Sequence, residues 1–570
     1  MRRFAGGILG LALLAFLLYR LRRRILSRWL RLRPHEYGSV QRRQVPIPLR
    51  DGIVLWGSHY SPEGPGPFPT VLIRSLWSEP PAGLLDSFIA QRFAARGYHV
   101  LVQNVRSSRE PEQLPHGQEE YDTLDTAAWI EQQAWFDGNL GMWGASYSGY
   151  VQWRAAADAP DSLKAVFIAA SASRWSSVIH PDGALALDTT MRMRYAVRMQ
   201  EQSSWRGRLR MVRQQAARIS AAARRLPVKE ADLELFDEPD LTYRRLVRES
   251  DPGSGFWREV DRDRVVPQVR PAVHLLTGWY DIFLREQLAD YRALVEAGRS
   301  PFLTVGPWSH LDPALGQASL AEGLAWFDTH LKGRPGARRA AAVRILVMGA
   351  GEWREFESWP PETQEQVYFP HAGGRLQGET PPAVQPPDQY LYNPERPTPA
   401  VGGALLHEAG QRDNRLLEER DDVLVYTAEP VLRPLTITGT VRAVLYVKSS
   451  LAHTDFFVRL SGVDPSGRSL NVTDGFVRIA PDEGSEDASG IRRLEVSLWP
   501  TAYTFLPGHA PRLLIAGGAH PRWNRNPGTA APAINPGQVR VAAQSLYHDA
   551  VHASRLIMPV LPGVSSSSVR

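Results

Sequence analysis

The hydrophobic and polar positions of the chain change their pattern near residue 350. Before it, short apolar runs of strand length alternate with segments in which apolar residues recur every three or four positions. Apolar strands separated by amphipathic helices are typical of a parallel sheet covered on both faces, so an α/β domain is predicted. A hairpin around Asp51-Gly52 precedes it, at 44–60. The apolar runs are 70–73, 98–102, 140–143, 163–169, 272–276 and 302–305, and the helical patterns include 123–133, 149–157 and 284–297.

The alternation is interrupted over residues 174–263. Apolar residues recur at helical spacing from Trp205 to Leu226, which predicts one long amphipathic helix. Residues 202–229 carry eight basic residues and no acid, whereas 230–240 carry six acids. A helical insertion between two strands predicts a cap over the sheet. Its charged blocks indicate either a solvated outer face or a contact with substrate or membrane.

From about residue 351 onward the sequence shows no long helical period. Short alternating segments are separated by Gly, Pro, Asn and Asp, which is typical of a β-sandwich. These segments are 422–426, 435–437, 443–447, 455–460, 494–498, 512–515 and 539–542. The predicted organisation is therefore an α/β domain over 36–173 and 264–350, a helical cap over 174–263 and a β-sandwich over 351–570.

An uncharged run from Phe4 to Tyr19 is bracketed by arginines. Its sixteen residues would rise about 24 Å as a helix, and long arginine side chains can extend its reach across a hydrocarbon core about 30 Å thick. Apolar residues then recur at helical spacing among further arginines, as in a helix lying on anionic lipid: Leu21, Ile25, Trp29 and Leu32. Residues 1–35 are therefore predicted to anchor the protein to a membrane, with a cleaved signal peptide or a dispensable tail as alternatives. Because more arginines follow the run than precede it, the rest of the protein, residues 36–570, is expected on the cytoplasmic side.

The net charge of +6 arises in this segment. Residues 1–35 contain nine arginines and no acid, so residues 36–570 carry a net charge of −3. A mildly acidic body argues against a nucleic-acid partner. The sequence contains no cysteine, which excludes a disulfide scaffold, a thiolate metal site and a cysteine nucleophile. No metal or organic cofactor is expected, because the sequence has no metalloprotease, P-loop or dinucleotide-binding motif.

Ser146 is the candidate nucleophile, in the segment Gly141-Met-Trp-Gly-Ala-Ser-Tyr-Ser-Gly149. The segment follows an apolar run and opens a helix. Such a sharp strand-to-helix turn exposes the serine hydroxyl, and small neighbours are needed because the backbone passes close to itself. The backbone N–H of Tyr147 is then placed to bind an oxyanion. In one departure from the usual G-x-S-x-G pattern, the glycine lies three positions after the serine.

A nucleophilic serine requires a histidine base and an acid that orients it. In this fold class the acid and then the histidine follow the serine, each after a later strand. Asp281 follows the apolar run 272–276, and His310 follows the run 302–305. Only His310, of fifteen histidines, has this placement. Asp312 is the alternative acid, although it comes after the histidine in the chain.

These motifs resemble the cocaine esterase / X-Pro dipeptidyl-peptidase (CocE/NonD) hydrolases, over nearly the whole chain from about residue 44. The segments that carry the resemblance are the Ser146 motif with Gln152-Trp153, Gly278-Trp-Tyr-Asp281, Gly306-Pro-Trp-Ser-His310, Val347-Met-Gly349 with Trp353-Arg354, 421–426 and Thr454-Asp455. The resemblance implies an α/β-hydrolase domain, a helical cap and a C-terminal jelly roll. It also implies Ser146, Asp281 and His310 as a catalytic triad and the Tyr147 N–H as one oxyanion donor.

The sequence departs from the family pattern at two places. The cocaine esterase branch has a Tyr hydroxyl in the oxyanion hole, where this chain has Trp77. The indole N–H of Trp77, or a backbone N–H of the same loop, is a replacement donor; alternatively Trp77 packs under the cap. The family's Asp-x-Arg-Gly is Asn104-Val-Arg106-Ser107 here, which predicts a loosened supporting turn.

Three functions are compatible with these residues. The first is a serine hydrolase that cleaves an ester or amide of a small molecule through an acyl-enzyme. The second is an X-Pro dipeptidyl-peptidase acting on short peptides, which requires an anionic group for the substrate ammonium, and the acids of 230–240 are candidates. The third is an inactive, membrane-tethered binding module built on the sandwich. The sequence does not define the acyl group, the leaving group or the oligomeric state.

Overall fold

The structure, a computed structural model, describes residues 25, 27–38, 40–64, 67–76, 82–106, 118–202, 204–479, 485–529 and 538–562. The apolar run at 4–19 and the oxyanion-hole candidate Trp77 lie outside these residues. Among the helices that are described, none is long and apolar enough to cross a membrane.

The first part of the chain forms a ten-stranded sheet in the order β1-β2-β4-β3-β5-β6-β7-β8-β9-β10. Strands β3 to β9 run parallel, while β1, β2 and β10 pair antiparallel at the two ends. The central strands are buried on both faces, as their continuous apolar runs require. The strands are β1 Val40–Pro48, β2 Val54–Pro62, β3 Phe68–Ser75, β4 His99–Asn104, β5 Phe136–Ala145, β6 Leu163–Ala169, β7 Ala272–Tyr280, β8 Phe302–Ser309, β9 Val343–Val347 and β10 Glu352–Phe356.

Helices cover both faces of this sheet and form the cap. Those of the sheet domain are α1 Ala82–Ala94, α2 Gln118–Glu131, α3 Tyr147–Ala156, α10 Leu284–Glu296 and α11 Pro313–His330. Those of the cap are α4 Ser176–Ile179, α5 Leu187–Glu201, α6 Trp205–Arg224, α7 Ala231–Phe236, α8 Leu241–Arg248 and α9 Gly255–Val260, with short 3-10 turns at Pro181–Gly183, Val228–Glu230 and Asp263–Gln268. The cap has its own apolar core, centred on Tyr195, Tyr243 and Trp257.

The last part of the chain is a two-layer β-sandwich, so the predicted fold class is confirmed. One layer contains β13, β23, β16, β24, β15, β19, β20 and β21, the other contains β12, β14, β22, β17 and β18, and β11 contributes to both. The elements are β11 Gln364–His371, β12 Arg375–Gln377, β13 Asp388–Tyr392, α12 Arg415–Glu418, β14 Val423–Thr427, β15 Leu435–Gly439, β16 Arg442–Ser449, β17 Thr454–Val463, β18 Ser469–Ile479, β19 Ser485–Glu486, β20 Arg492–Ser497, β21 Thr501–Phe505, β22 Ala510–Ala516, β23 Ala542–Tyr547 and β24 Arg555–Val560.

The sandwich is hydrogen-bonded to both other units. The amide of Met348, which follows β9, donates to the carbonyl oxygen of Ala502 at 2.9 Å. In the cap, the amide of Leu185 donates to Asn524 Oδ1 and the amide of Asp188 donates to the carbonyl oxygen of Pro521, each at 2.9 Å. The sandwich is therefore in direct contact with both the sheet domain and the cap.

Two predicted boundaries differ from the observed elements. The sheet continues through β10, which pairs with β9, so the α/β domain extends beyond the predicted limit at residue 350. The strand predicted at 539–542 begins only at Ala542, because the amide of Arg540 bonds to the carbonyl oxygen of Pro527 instead of joining the ladder.

The end of the predicted anchor packs on the sheet domain. Leu30 and Leu32 are buried against α1 and α11, and Arg33 Nε donates to Asp328 Oδ2 at 2.8 Å. Leu32 is therefore not available for the lipid contact predicted for it, whereas Ile25 and Trp29 are exposed. The lipid-facing stretch predicted for this segment therefore does not extend to Leu30 or Leu32.

Candidate active site

Ser146 occupies a strained turn between β5 and α3. Its backbone has φ 54° and ψ −126°, in a region that L-residues rarely adopt. A Cβ at Gly144 would overlap the backbone of Ser148, and one at Gly149 would lie 2.7 Å from Ser171 Cβ. The turn therefore requires small residues around the serine. Ser148 can take the place of a glycine here because it is mainly its backbone carbonyl group that approaches Gly144.

The other two predicted residues meet this serine at the carboxyl ends of β7 and β8. His310 Nε2 lies 3.2 Å from Ser146 Oγ, and His310 Nδ1 lies 3.2 Å from Asp281 Oδ2. Asp281 is fully buried, and its Oδ1 also accepts from the amide of Phe283 at 2.8 Å. The arrangement can remove a proton from the serine hydroxyl and stabilise the resulting imidazolium.

Close packing of β7 against β8 brings the acid and the base together. A Cβ at Gly278 would overlap the backbone of Trp308, so the strands approach more closely than a side chain permits. Asp281 follows Gly278 by three residues, and His310 follows Trp308 by two. The alternative acid Asp312 has a different role, since its Oδ1 caps α11 by accepting from the amide of Ala314 at 2.9 Å.

Part of the expected oxyanion hole lies among the residues that the structure describes. Tyr147 is the first residue of α3, the position from which a backbone N–H can bind an oxyanion. Leu76, which precedes Trp77, lines the cavity beside Ser146. Of the turn predicted to be loosened, Arg106 donates to Asp122 and to Asp51, at 2.6 Å in each case, while Ser107 lies outside the described residues.

A cavity of about 390 Å³ opens onto the serine and histidine. Its walls are mainly apolar and come largely from the cap, with Leu406 and His407 supplied by the sandwich. Sequence patterns gave no local signal for these wall residues, because they belong to several short helices. The apolar cap residues are Trp175, Ile179, Met193, Ala196, Val197, Leu246, Phe256, Trp257 and Val260.

The charged side chains in the cavity wall are arginines with carboxylate partners. Arg192 Nε donates to Asp188 Oδ1 at 2.7 Å, and Arg194 donates to Asp240 Oδ2 at 2.7 Å. Among the described residues that line the cavity, none is Asp or Glu. The cavity is therefore suited to an apolar group.

The acids of 230–240 are paired with arginines within the cap. Asp232 accepts from Arg244 Nε at 2.6 Å, and Asp237 accepts from Arg218 at 2.6 Å. The remaining members are also within ion-pair distance of arginines: Glu230, Glu234, Glu238 and Asp240. They therefore stabilise the cap, and none of them lines the described cavity wall.

Buried carboxyl groups fix the backbone on which the cavity wall is built. Asp261 accepts from the amides of Trp175 and Ser176, at 2.7 and 3.0 Å. Burial raises the pKa of Asp261, although these hydrogen bonds act in the opposite direction. Asp86, which accepts from Ser75 Oγ at the end of β3, likewise has its pKa raised by burial, to about 6. Both groups secure connections that follow strands of the sheet.

Two family models match the chain. The one described as X-Pro dipeptidyl-peptidase (S15 family) matches residues 51–312. The one described as X-Pro dipeptidyl-peptidase C-terminal non-catalytic domain matches residues 335–557. The first match covers most of the sheet domain with its cap, and the second covers β9, β10 and the sandwich.

Similar proteins and structures cover almost the whole chain. It is 30% identical, over 585 aligned positions, to cocaine esterase of Rhodococcus sp. (strain MB1 Bresler), covering 91% of this chain and 98% of that protein. Two solved structures each cover 93% of this chain and 98% of their own at 21% identity. They are an aminopeptidase from the marine sediment archaeon Thaumarchaeota archaeon, with a TM-score of 0.76, and an α-amino acid ester hydrolase, with a TM-score of 0.73. At this identity the two structures establish the fold alone.

Proposed function

The chain belongs to the CocE/NonD family of serine hydrolases, and on this premise we propose that it is an esterase whose nucleophile is Ser146. The observation that carries the proposal is the continuous contact from Asp281 through His310 to Ser146 Oγ at the floor of an apolar cavity. The enzyme is a serine hydrolase; its catalytic residues and its preference for esters are proposed here.

The proposed reaction is a two-step acyl transfer. His310 Nε2 takes the proton of Ser146 as the hydroxyl attacks the ester carbonyl, and Asp281 stabilises the imidazolium at Nδ1. The backbone N–H of Tyr147 binds the oxyanion, together with a donor from the loop that contains Trp77. His310 then protonates the departing alcohol, and water activated by the same histidine releases the acid and restores the serine.

The cavity favours an ester over an X-Pro dipeptide. A dipeptidyl-peptidase has to compensate the substrate's terminal ammonium with a carboxylate or several acceptors. The described cavity wall carries two arginines and no acid, and the acids of 230–240 are paired elsewhere in the cap. We therefore assign an uncharged, apolar acyl or alcohol group to this cavity.

We also propose that residues 1–35 contain a membrane anchor. The support is the uncharged run at 4–19 with arginines on both sides. The larger number of arginines after the run assigns the catalytic body to the cytoplasmic side. Carbonate extraction of membranes tests the anchor, and protection from added protease tests the side; release of a shorter soluble chain would instead identify a cleaved signal peptide.

The esterase assignment is tested with the full chain in detergent and its Ser146→Ala variant. The substrates are p-nitrophenyl esters of increasing acyl length and the p-nitroanilides of Ala-Pro and Gly-Pro. We expect ester hydrolysis without anilide cleavage, and a fall of about 1,000-fold or more in kcat for Ser146→Ala. Anilide cleavage would identify a dipeptidyl-peptidase, and no reaction with either substrate or with an organophosphonate probe would indicate the inactive binding module.

A further inference from the structure

The N-terminal segment runs along α11 toward the active site. Arg33 Nε donates to Asp328 Oδ2 near the end of this helix, and Gln317 Nε2 donates to the carbonyl oxygen of Trp29 near its beginning. Helix α11 begins three residues after His310, so its beginning lies at the edge of the sheet that carries the active site. The described part of this segment therefore reaches this edge of the sheet domain at Trp29.

Exposed apolar side chains lie at the same edge. Leu311 follows His310, lines the mouth of the cavity and is 69% exposed. Leu84 and Leu85, each 61% exposed, lie in the first turn of α1, whose Asp86 bonds to Ser75 at the end of β3. Trp29 is 63% exposed on the N-terminal segment. We call these four residues the apolar rim.

Basic side chains lie on the same N-terminal segment as Trp29. The side chains of Arg28 and Arg31 are exposed, and neither forms an ion pair with a described residue. Unpaired arginines beside exposed apolar side chains are complementary to an anionic lipid surface, where the apolar groups enter the acyl region and the cations meet the headgroups. The apolar run at 4–19, which precedes Ile25 in the chain, has the composition to lie in the same bilayer.

From this placement we propose that the apolar rim rests on an anionic bilayer and that the substrate is a lipophilic ester dissolved in that bilayer. The ester passes from the membrane past Leu311 into the apolar cavity without crossing bulk water. This inference rests on the proposed esterase function and anchor, and it adds the substrate class and the orientation of the cavity mouth toward the membrane.

The test measures two substrates with the full chain bound to vesicles of phosphatidylcholine and phosphatidylglycerol. Methylumbelliferyl oleate, incorporated in the vesicles, reports access from the bilayer, and p-nitrophenyl acetate reports the active site from water. For Leu84→Ser/Leu85→Ser we expect oleate hydrolysis to fall about tenfold, because the rim loses apolar contact with the lipid, and acetate hydrolysis to stay within about twofold. Equal rates for variant and wild type on the oleate would overturn the proposal.

A second variant, which changes the rim residue Trp29 together with the exposed Ile25, guards against misfolding of α1. Ile25→Ser/Trp29→Ser changes residues that stand outside the cavity, and the same selective loss is expected. If Leu84→Ser/Leu85→Ser loses both activities, the result with Ile25→Ser/Trp29→Ser decides: a selective loss supports the proposal and no loss overturns it.

Control variants remove exposed apolar residues elsewhere. Val384→Ser/Leu432→Ser changes two sandwich residues that are 88% and 93% exposed, and no selective loss is expected. Trp205→Ser/Leu209→Ser changes the exposed side of α6, which also carries the exposed Arg210 and Arg213, neither of them ion-paired with a described residue. A selective loss in the α6 variant, with none in the rim variants, would assign the membrane contact to the cap and overturn the proposal.

The experiment distinguishes failure of the proposed esterase function from failure of the rim proposal. If Ser146→Ala retains hydrolysis of p-nitrophenyl acetate, the esterase assignment fails, whatever the vesicles show. If the wild-type chain hydrolyses the acetate but does not float with vesicles, the anchor and the rim proposal fail while the esterase assignment stands. If light scattering shows a dimer that Leu84→Ser/Leu85→Ser dissociates, the rim is an interface between two copies and the proposal is overturned.

Discussion

Replacing Asp86 by asparagine is expected to stabilise the protein at neutral and alkaline pH. The side chain is 9% exposed and accepts from Ser75 Oγ, and burial raises its pKa from 3.8 to about 6. The native state thus favours the neutral carboxyl group. Asparagine has the same shape, keeps an oxygen that can accept from Ser75, and carries no charge at any pH.

The magnitude follows from the shift in pKa. About two pKa units correspond to about 3 kcal/mol at most. Between pH 3.8 and about 6 the native state binds more protons than the unfolded chain, so its stability falls as the pH rises. Above about pH 7 the wild type bears the whole free-energy cost of burying the ionised Asp86 carboxylate. Below about pH 4 neither protein bears this cost.

Calorimetric unfolding of both proteins at pH 4 and at pH 8 measures this difference. For a domain of this size we expect the unfolding temperature of Asp86→Asn to exceed that of the wild type by about 5 °C at pH 8 and to match it at pH 4. A lower unfolding temperature of Asp86→Asn at pH 8 would show that the ionised carboxylate is the stable native form. The same difference at both pH values would show that ionisation of Asp86 does not cause it, and either result would refute the argument.

Asp125→Asn is a control of opposite sign. Burial acts to raise the pKa of Asp125, but the hydrogen bonds and the charge of Arg50 outweigh it and lower the pKa. The carboxylate therefore contributes stability above about pH 4 that is lost as the pH falls. Asp125→Asn is expected to lower the unfolding temperature at pH 8, by an amount that decreases toward pH 3.

Three further predictions concern the rest of the fold. Burial lowers the pKa of His59 and of His99 to about 4, so below pH 6.5 the unfolded chain binds protons that these two histidines do not bind in the native state. The unfolding temperature should therefore decrease as the pH falls from 6.5 to 4, and less steeply in His99→Gln. Thermal scans across that pH range measure this decrease. Gly278→Ala places a Cβ against the backbone of Trp308 and should reduce kcat by about tenfold or more, whereas Gly316→Ala, in open space on α11, should leave kcat unchanged. Arg459→Met removes the 2.8 Å ion pair with the buried Asp474 and should lower the free energy of unfolding of the sandwich by about 3 kcal/mol in urea titrations; an unchanged midpoint would show that Arg522 alone compensates the carboxylate.

The central sheet and the placement of the three site residues were predictable from the sequence. Strands buried on both faces are continuous apolar runs, so β5 to β8 stood out, and residues that follow parallel strands meet at one edge. Asp281 and His310 could be placed beside Ser146 for this reason. Strands such as β10 and β13 were missed for different reasons. None of the residues of β10 is buried, and in β13 the exposed Leu391 stands between the buried Tyr390 and Tyr392, so its apolar and polar residues do not alternate.

The cavity and the surroundings of the anchor were not predictable in this way. Trp175, Phe256 and Leu406 reach the cavity from two cap elements and from the sandwich, and no pattern within any of these segments depends on the others. Arg33 looked like part of a basic lipid-binding helix, yet it pairs with Asp328, which lies far away in the sequence. Long-range contacts of this kind depend on the assembled fold rather than on local periodicity.

The hydrogen bonds from Leu185 and Asp188 to residues 521–524 also constrain the order of events during protein synthesis. Domains fold largely as they emerge from the ribosome, and the sheet domain with its nucleophile, base and acid is complete long before Pro521 is translated. The cap, however, forms its hydrogen bonds from Leu185 and Asp188 only after residues 521–524 have been translated. A nascent chain that ends before Pro521 is therefore expected to present the apolar cavity wall to chaperones and to acquire its hydrolase activity only with the final domain.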